Sequence, residues 1–238
     1  MKKWYAVIGD PIAHSRSPEM HTHWLKEEQI DASYIPIHLT KDQLAKGIDS
    51  LRLLCCSGWN VTVPHKEAII PLLDEIDPLA EKMHAVNTVV RQSDGTLKGY
   101  NTDGLGYVRS LEERFPTLDR ASRVLIIGAG GAAKGIAYAM KQEGYTSVTI
   151  ANRTLERAEQ LEAVVEAEEL TLEEASEQLE IFDLLIQTTS VGMQHALQGV
   201  PLDLTRLRSD AIVTDIIYTP KETELLRLAR QKGAKTMN

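Results

Sequence analysis

Short apolar runs alternate along the chain with stretches whose apolar residues recur at helical spacing. Trp4 to Ile8 is apolar throughout and ends at Gly9-Asp10-Pro11, which predicts a strand followed by a turn. Ser17-Pro18-Glu19 then supplies a cap residue, a proline for the first helical position and an acidic first turn, predicting a helix to about Glu28. Tyr34 to Leu39 reads as a second strand, Lys41 to Leu54 as a second helix, and Trp59 to Val63 as a third strand stopped by Pro64. Ala85 to Val90 and Leu97 to Tyr100 flank Ser93-Asp94-Gly95, whose Asp-Gly pair is a hairpin signal. One antiparallel pair within a β-α-β series makes the first half a mixed sheet.

A second cycle begins after Arg123. Val124 to Ile127 is a continuous apolar run, Gly128 to Ala133 is glycine-rich, and Lys134 to Glu143 has helical spacing ended by Gly144. Ser147 to Ala151, Thr154 to Ala163, Asp183 to Gln187, Ala211 to Ile217 and Glu222 to Lys232 continue the alternation, as a doubly wound parallel sheet requires. The expected architecture is α/β, with a mixed-sheet domain over 1–102, a parallel-sheet domain over 103–238, and a helix from Asp103 to Arg114 bridging the halves. The Glu-rich stretch from Glu162 to Glu180 reads as a solvated helix face rather than a metal site.

Composition narrows the class. At 238 residues, with 43% hydrophobic and 25% charged residues, the chain is neither disordered, collagen-like nor disulfide-stapled. Its 26 Lys plus Arg against 34 Asp plus Glu give a net charge of −8 with no basic block, so no nucleic-acid partner is expected. The N-terminal apolar run is cut short by Asp10 and Pro11, and no run approaches the ~20 residues of a membrane helix, so a soluble chain with no membrane partner is expected. Cys55 and Cys56 are adjacent and read as small, buried, reduced thiols of a cytoplasmic protein. His21 and His23 diverge on a helix and the other histidines are scattered, so no metal site is expected. A homodimer is compatible with the sequence.

The glycine-rich segment carries the clearest chemistry. Gly128-Ala129-Gly130-Gly131-Ala132-Ala133 fits G-x-G-x-x-[G/A] and sits between an apolar strand and a helix, where backbone N–H groups can cradle a pyrophosphate. A Rossmann-type domain binding a dinucleotide follows. About twenty residues on, where an NAD enzyme would place an acid against the ribose, the residues are Asn152-Arg153-Thr154, with Arg157 a turn later. No carboxylate would repel a 2′-phosphate and Arg153 could hold one, which favours NADP.

The first half carries polar clusters at predicted strand ends. Ser15-Arg16-Ser17 could face a small polyol or carboxylate, although capping alone accounts for Ser17. In Asn60-Val61-Thr62-Val63-Pro64-His65-Lys66, Asn60 and Thr62 share one strand face and Lys66 is expected to open a helix, whose dipole would favour a proton-donating lysine. An exposed first-turn lysine is the plain alternative, and His65 reads as packed or solvated. Asn87-Thr88 and Asn101-Thr102-Asp103-Gly104 add further side chains. Asp103 could pair with Lys66 or serve as a turn and cap residue.

Together, Ser15-x-Ser17, Asn60 to Lys66, Ala85 to Thr88, Asn101 to Gly104, Gly128 to Ala133, Asn152-Arg153-Thr154, Thr188-Thr189-Ser190-Val191-Gly192-Met193 and Tyr218-x-Pro220-x-x-Thr223 resemble the shikimate dehydrogenases, in order over nearly the whole chain. The resemblance implies NADPH-dependent reduction of 3-dehydroshikimate to shikimate on the route to chorismate and the aromatic amino acids. It implies Lys66 and Asp103 as catalytic pair, and Ser15, Ser17, Thr62, Lys66, Asn87, Asp103 and Tyr218 as substrate-binding residues, with Asn60 a structural neighbour. Around the cofactor it places Gly128, Ala129, Gly130, Gly131 and Ala132 at the pyrophosphate, Asn152, Arg153, Thr154 and Arg157 at the 2′-phosphate, and Thr188 and Met193 at the nicotinamide. The family pattern continues beyond Asn238 into a glycine-rich turn and a helix with a substrate-binding glutamine, so either a truncated chain or further residues outside this sequence are expected. Two other readings stay open: an NAD-linked quinate/shikimate dehydrogenase, which would want an acid near Asn152, and a nucleotide-binding regulatory module without turnover.

Overall fold

The structure, a computed structural model, describes residues 2–154, 167–194 and 196–238. It divides into two compact units, Met1–Thr102 and Asp103–Asn238. In the first, β1 (Lys3–Gly9), α1 (Ser17–Glu27), β2 (Ala32–His38), α2 (Leu44–Leu53), β3 (Gly58–Val61), β4 (Glu75–Ile76), α3 (Pro78–Met83), β5 (Thr88–Arg91) and β6 (Leu97–Tyr100) follow in order. The six-stranded sheet runs β2-β1-β3-β5-β6-β4. β1 is parallel to β2 and β3, whereas β5 is antiparallel to β3 and β6, which makes the sheet mixed as the hairpin signal requires. Its core gathers Ala6, Ile8, Ile48, Leu51, Trp59, Val61 and Val89.

The second unit contains α4 (Asp103–Arg114), β7 (Arg123–Ile127), α5 (Gly131–Gln142), β8 (Ser147–Asn152), β9 (Glu168–Thr171), α6 (Leu172–Glu177), β10 (Leu184–Gln187), β11 (Ile212–Asp215), α7 (Glu224–Gln231) and β12 (Lys235–Met237). Its sheet is ordered β12-β11-β10-β7-β8-β9 and every pair is parallel. Apolar clusters cover both faces, which is why the strands read as unbroken hydrophobic runs. α4 lies so close to α5 that a Cβ on Gly104 would stand 2.1 Å from the Gly135 carbonyl oxygen. Among the described residues no helix is long and apolar enough to cross a membrane.

Several local expectations need correction. β3 stops at Val61 and leaves Thr62 beyond the ladder. Lys41–Gln43 is a 3-10 turn that leads into α2. Glu168 and Glu169 stand in a strand, not on a helix face, and α6 begins at a capping box in which the Thr171 hydroxyl and the Glu174 carboxylate each accept the other's backbone N–H. The helix expected over 154–163 lies mostly outside the described residues. Cys56 is buried, its thiol pushed up to about 11 chiefly by that burial, whereas Cys55 is exposed beyond the end of α2; both are free.

Candidate active site

In the first unit, hydrogen bonds draw separate strand ends into one patch. The Thr62 N–H donates to Ile8 C=O at 3.0 Å, Asp10 N–H to Val63 C=O at 3.0 Å, Val61 N–H to Asn87 C=O at 2.8 Å and Val86 N–H to Lys66 C=O at 2.8 Å. The turns bearing Thr62, Lys66 and Asn87 therefore meet beside the carboxyl end of β1. Thr62 keeps to the face of Asn60, since its Cγ2 lies 2.5 Å from where a Gly9 Cβ would stand. Ser15 and Ser17 are half-buried in the following loop and the start of α1. Arg16, not Ser17, occupies the cap position, and the Ser17 N–H donates to Ser15 Oγ at 3.3 Å.

Lys66 does not open a helix. Residues 63–69 run as turns into a 3-10 turn at Ile70–Leu72, and the prolines at 64 and 71 leave too short a stretch for an α-helix. The dipole argument for Lys66 falls with the helix. His65 is fully buried, and its Nε2 donates to Leu39 C=O at 2.6 Å, so it is packed rather than solvated. Asn87 is buried, and its Oδ1 accepts from Thr102 N–H at 3.0 Å and from the Thr88 hydroxyl at 2.9 Å. Asp103 is exposed at the first residue of α4.

In the second unit the chain leaves β7 through Gly128 at φ +112°, a setting that L side chains avoid. A Cβ there would also stand 2.7 Å from Thr188 Oγ1. The glycine loop and the loop after β10 are thereby pressed together where strand order reverses between β7 and β10, the usual ligand crevice of a doubly wound sheet. Gly130 caps α5 without a side-chain hydrogen bond, and beyond the adjoining residues and the helix's own backbone nothing lies within 4 Å of where a Cβ on Gly130 or Gly131 would stand. Open space beside uncapped first-turn amides fits a pyrophosphate. Ala129 is half-buried and Ala132 exposed.

At the end of β8, Asn152 Nδ2 donates to Thr154 C=O at 2.7 Å, while Arg153 and Thr154 are exposed; no carboxylate stands among the three. Arg157 lies outside the described residues. Thr188, Met193 and Tyr218 line one cleft of about 420 Å³. Sequence reasoning missed two supports of this cleft. Gln187 is buried, its Nε2 donating to Val191 C=O at 3.1 Å and its Oε1 accepting Thr189 N–H at 3.1 Å, which fixes the loop after β10. Asp215 is buried and accepts from the Ile217 N–H at 3.0 Å and the Thr223 hydroxyl at 2.7 Å; burial raises its carboxyl above the ordinary value and these hydrogen bonds oppose the rise. A polar residue closing each of two apolar strands was the available signal.

Residues 7–89 match the family described as the shikimate dehydrogenase substrate binding domain, and residues 110–216 that described as shikimate / quinate 5-dehydrogenase. A shikimate dehydrogenase (NADP(+)) of Lysinibacillus sphaericus is 51% identical over 98% of this chain and 85% of its own length. The chain belongs to the shikimate dehydrogenase family. Among solved members, shikimate 5-dehydrogenase of Thermus thermophilus in complex with NADP(H) and shikimate is 33% identical with TM-score 0.87, covering 99% of this chain and 87% of that one. That of Listeria monocytogenes, in complex with shikimate and NAD, is 32% identical with TM-score 0.89, covering 100% and 86%. Within the family's pattern, Thr223 has a structural reason here: its hydroxyl accepts the Leu226 N–H at 3.4 Å and so caps α7.

Proposed function

We propose that this protein reduces the ketone of 3-dehydroshikimate to shikimate with NADPH, a step toward chorismate and the aromatic amino acids. The observation that carries the reading is the convergence of the Thr62, Lys66 and Asn87 turns at one sheet edge in a chain of this family. The first unit is proposed to supply most of the substrate-binding residues and the second the cofactor-binding ones. Bound NADPH supplies the hydride.

A ketone accepts hydride only as the charge on its oxygen is neutralised, so an acid must stand within hydrogen-bond reach of that oxygen. Lys66 is the proposed proton donor, and Asp103 the carboxylate that orients it and accepts the neighbouring substrate hydroxyl. Ser15, Ser17, Thr62, Asn87 and Tyr218 fix the remaining polar groups of the substrate, which aligns the reacting carbon. Gly128, Ala129, Gly130, Gly131 and Ala132 hold the pyrophosphate, Asn152, Arg153, Thr154 and Arg157 the 2′-phosphate, and Thr188 and Met193 border the nicotinamide.

The test is an absorbance assay at 340 nm with shikimate or quinate as substrate and NADP+ or NAD+ as oxidant. Turnover of shikimate with a clear preference for NADP+ is expected. Equal use of the two cofactors would remove the 2′-phosphate role of Arg153. NADP+ binding without oxidation of either substrate would instead mark a regulatory module.

A further inference from the structure

One hydroxyl remote in sequence from the Thr62, Lys66 and Asn87 turns ends a directed line of hydrogen bonds on Asn87. Tyr34, on β2, is 8% exposed, and its O–H donates to Asn60 Oδ1 at 2.7 Å. Its ring is held by His21, which stacks on it with centroids 4.3 Å apart and planes 7° from parallel. Burial keeps the phenol above its ordinary pKa, so it remains a donor. With its oxygen engaged, the Asn60 amide turns its nitrogen toward β5, where Nδ2 donates to Thr88 Oγ1 at 3.2 Å and to Asn87 C=O at 3.4 Å. A hydroxyl has one proton to give, and Thr88 gives it to Asn87 Oδ1 at 2.9 Å. Asn87 Nδ2 in turn donates to Thr102 Oγ1 at 3.1 Å.

A carboxamide flipped by half a turn exchanges donor for acceptor with almost no change of shape, so only its partners select the orientation. We propose that Tyr34 is a positioning residue: through Asn60 and Thr88 its hydroxyl reinforces the Thr102 N–H, which also donates to Asn87 Oδ1 at 3.0 Å, in holding the Asn87 amide so that it meets a substrate hydroxyl as a donor. The inference rests on the substrate-binding role proposed for Asn87. Without the tyrosine proton, Asn60 is oriented only by the longer bond from its Nδ2 to the Asn87 C=O at 3.4 Å. Thr88 can then reverse, and Asn87 Oδ1 loses one of the donors that fix it.

Tyr34→Phe deletes the hydroxyl and keeps the ring against His21. In the shikimate assay it should raise KM for shikimate about fivefold or more, with kcat and KM for NADP+ within twofold of the parent. Thr88→Val, which interrupts the same line, should do the same. In an Asn87→Ala background, Tyr34→Phe should add no further rise. An unchanged KM in Tyr34→Phe, a full added rise in the Asn87→Ala background, or a parallel loss of kcat and of affinity for both substrates would each overturn the inference. If Asn87→Ala alone leaves KM for shikimate unchanged, the substrate-binding role of Asn87 fails and this inference goes with it. A raised KM in Asn87→Ala beside a normal Tyr34→Phe refutes the positioning role alone.

Discussion

Lys66 is half-buried in a run of turns, its carbonyl tied to the Val86 N–H at 2.8 Å, so the backbone that carries it is anchored to the strand end that carries Asn87. If Lys66 protonates the developing alkoxide, Lys66→Ala removes general acid catalysis, which typically contributes 10²- to 10⁴-fold. The expected result is a kcat lower by about 10²- to 10⁴-fold with smaller changes in KM and unchanged NADPH binding by fluorescence; near-normal turnover would take Lys66 out of the chemistry. The block from Asn60 to Lys66 was legible because its residues are contiguous and their alternation is preserved past the end of the strand. Tyr34 was not legible. Its hydroxyl reaches Asn60 across the intervening β1, and that meeting depends on the register of Tyr34 with Tyr5 and of Asn60 with Val7, which no local pattern encodes.

Thr223 shows how one hydroxyl serves two elements. It caps α7 by accepting the Leu226 N–H and donates to the buried Asp215 at the end of β11, so its loss uncaps a helix and strips a donor from a buried carboxyl at once. A cap contributes about 0.5 to 2 kcal/mol, and a hydrogen bond to a charged group about 1.5 to 3. Thr223→Ala should therefore lower stability by about 2 to 5 kcal/mol in urea unfolding followed by circular dichroism, and Thr223→Ser should recover most of it; a loss below about 1 kcal/mol would show that Asp215 finds another donor. Elements with an unbroken apolar run or a full helical period were readable from the pattern, including β7, α5, β8 and α7. The ones missed are short: β4 has two residues, β12 three and α3 six, too few for any period to emerge. In the acidic stretch, charge obscured alternation, because Glu168 and Glu169 sit on an edge strand where polar side chains are tolerated. Gly104, read as part of a turn motif, is required by the approach of α4 to α5, a tertiary demand with no local signature.

For the whole molecule, the division into two compact units, each with its own apolar clusters, allows binding to stabilise one without the other. A chain of net charge −8 must gather local cations to hold a phosphorylated cofactor, and the glycine loop and Arg153 both belong to the second unit. Bound at 100 times its Kd, NADP+ would add about 2.7 kcal/mol to whichever unit binds it. At about 3 °C per kcal/mol for a unit of this size, that is a rise of about 8 °C in Tm. The three tryptophans, Trp4, Trp24 and Trp59, all lie in the first unit, so their fluorescence reports its unfolding alone, whereas circular dichroism follows both units. With NADP+ present, the fluorescence midpoint should stay within about 1 °C while part of the circular dichroism transition moves up by about 8 °C. A fluorescence midpoint that rises together with the circular dichroism signal would mean that the two units unfold as one and that cofactor binding is felt across the whole chain.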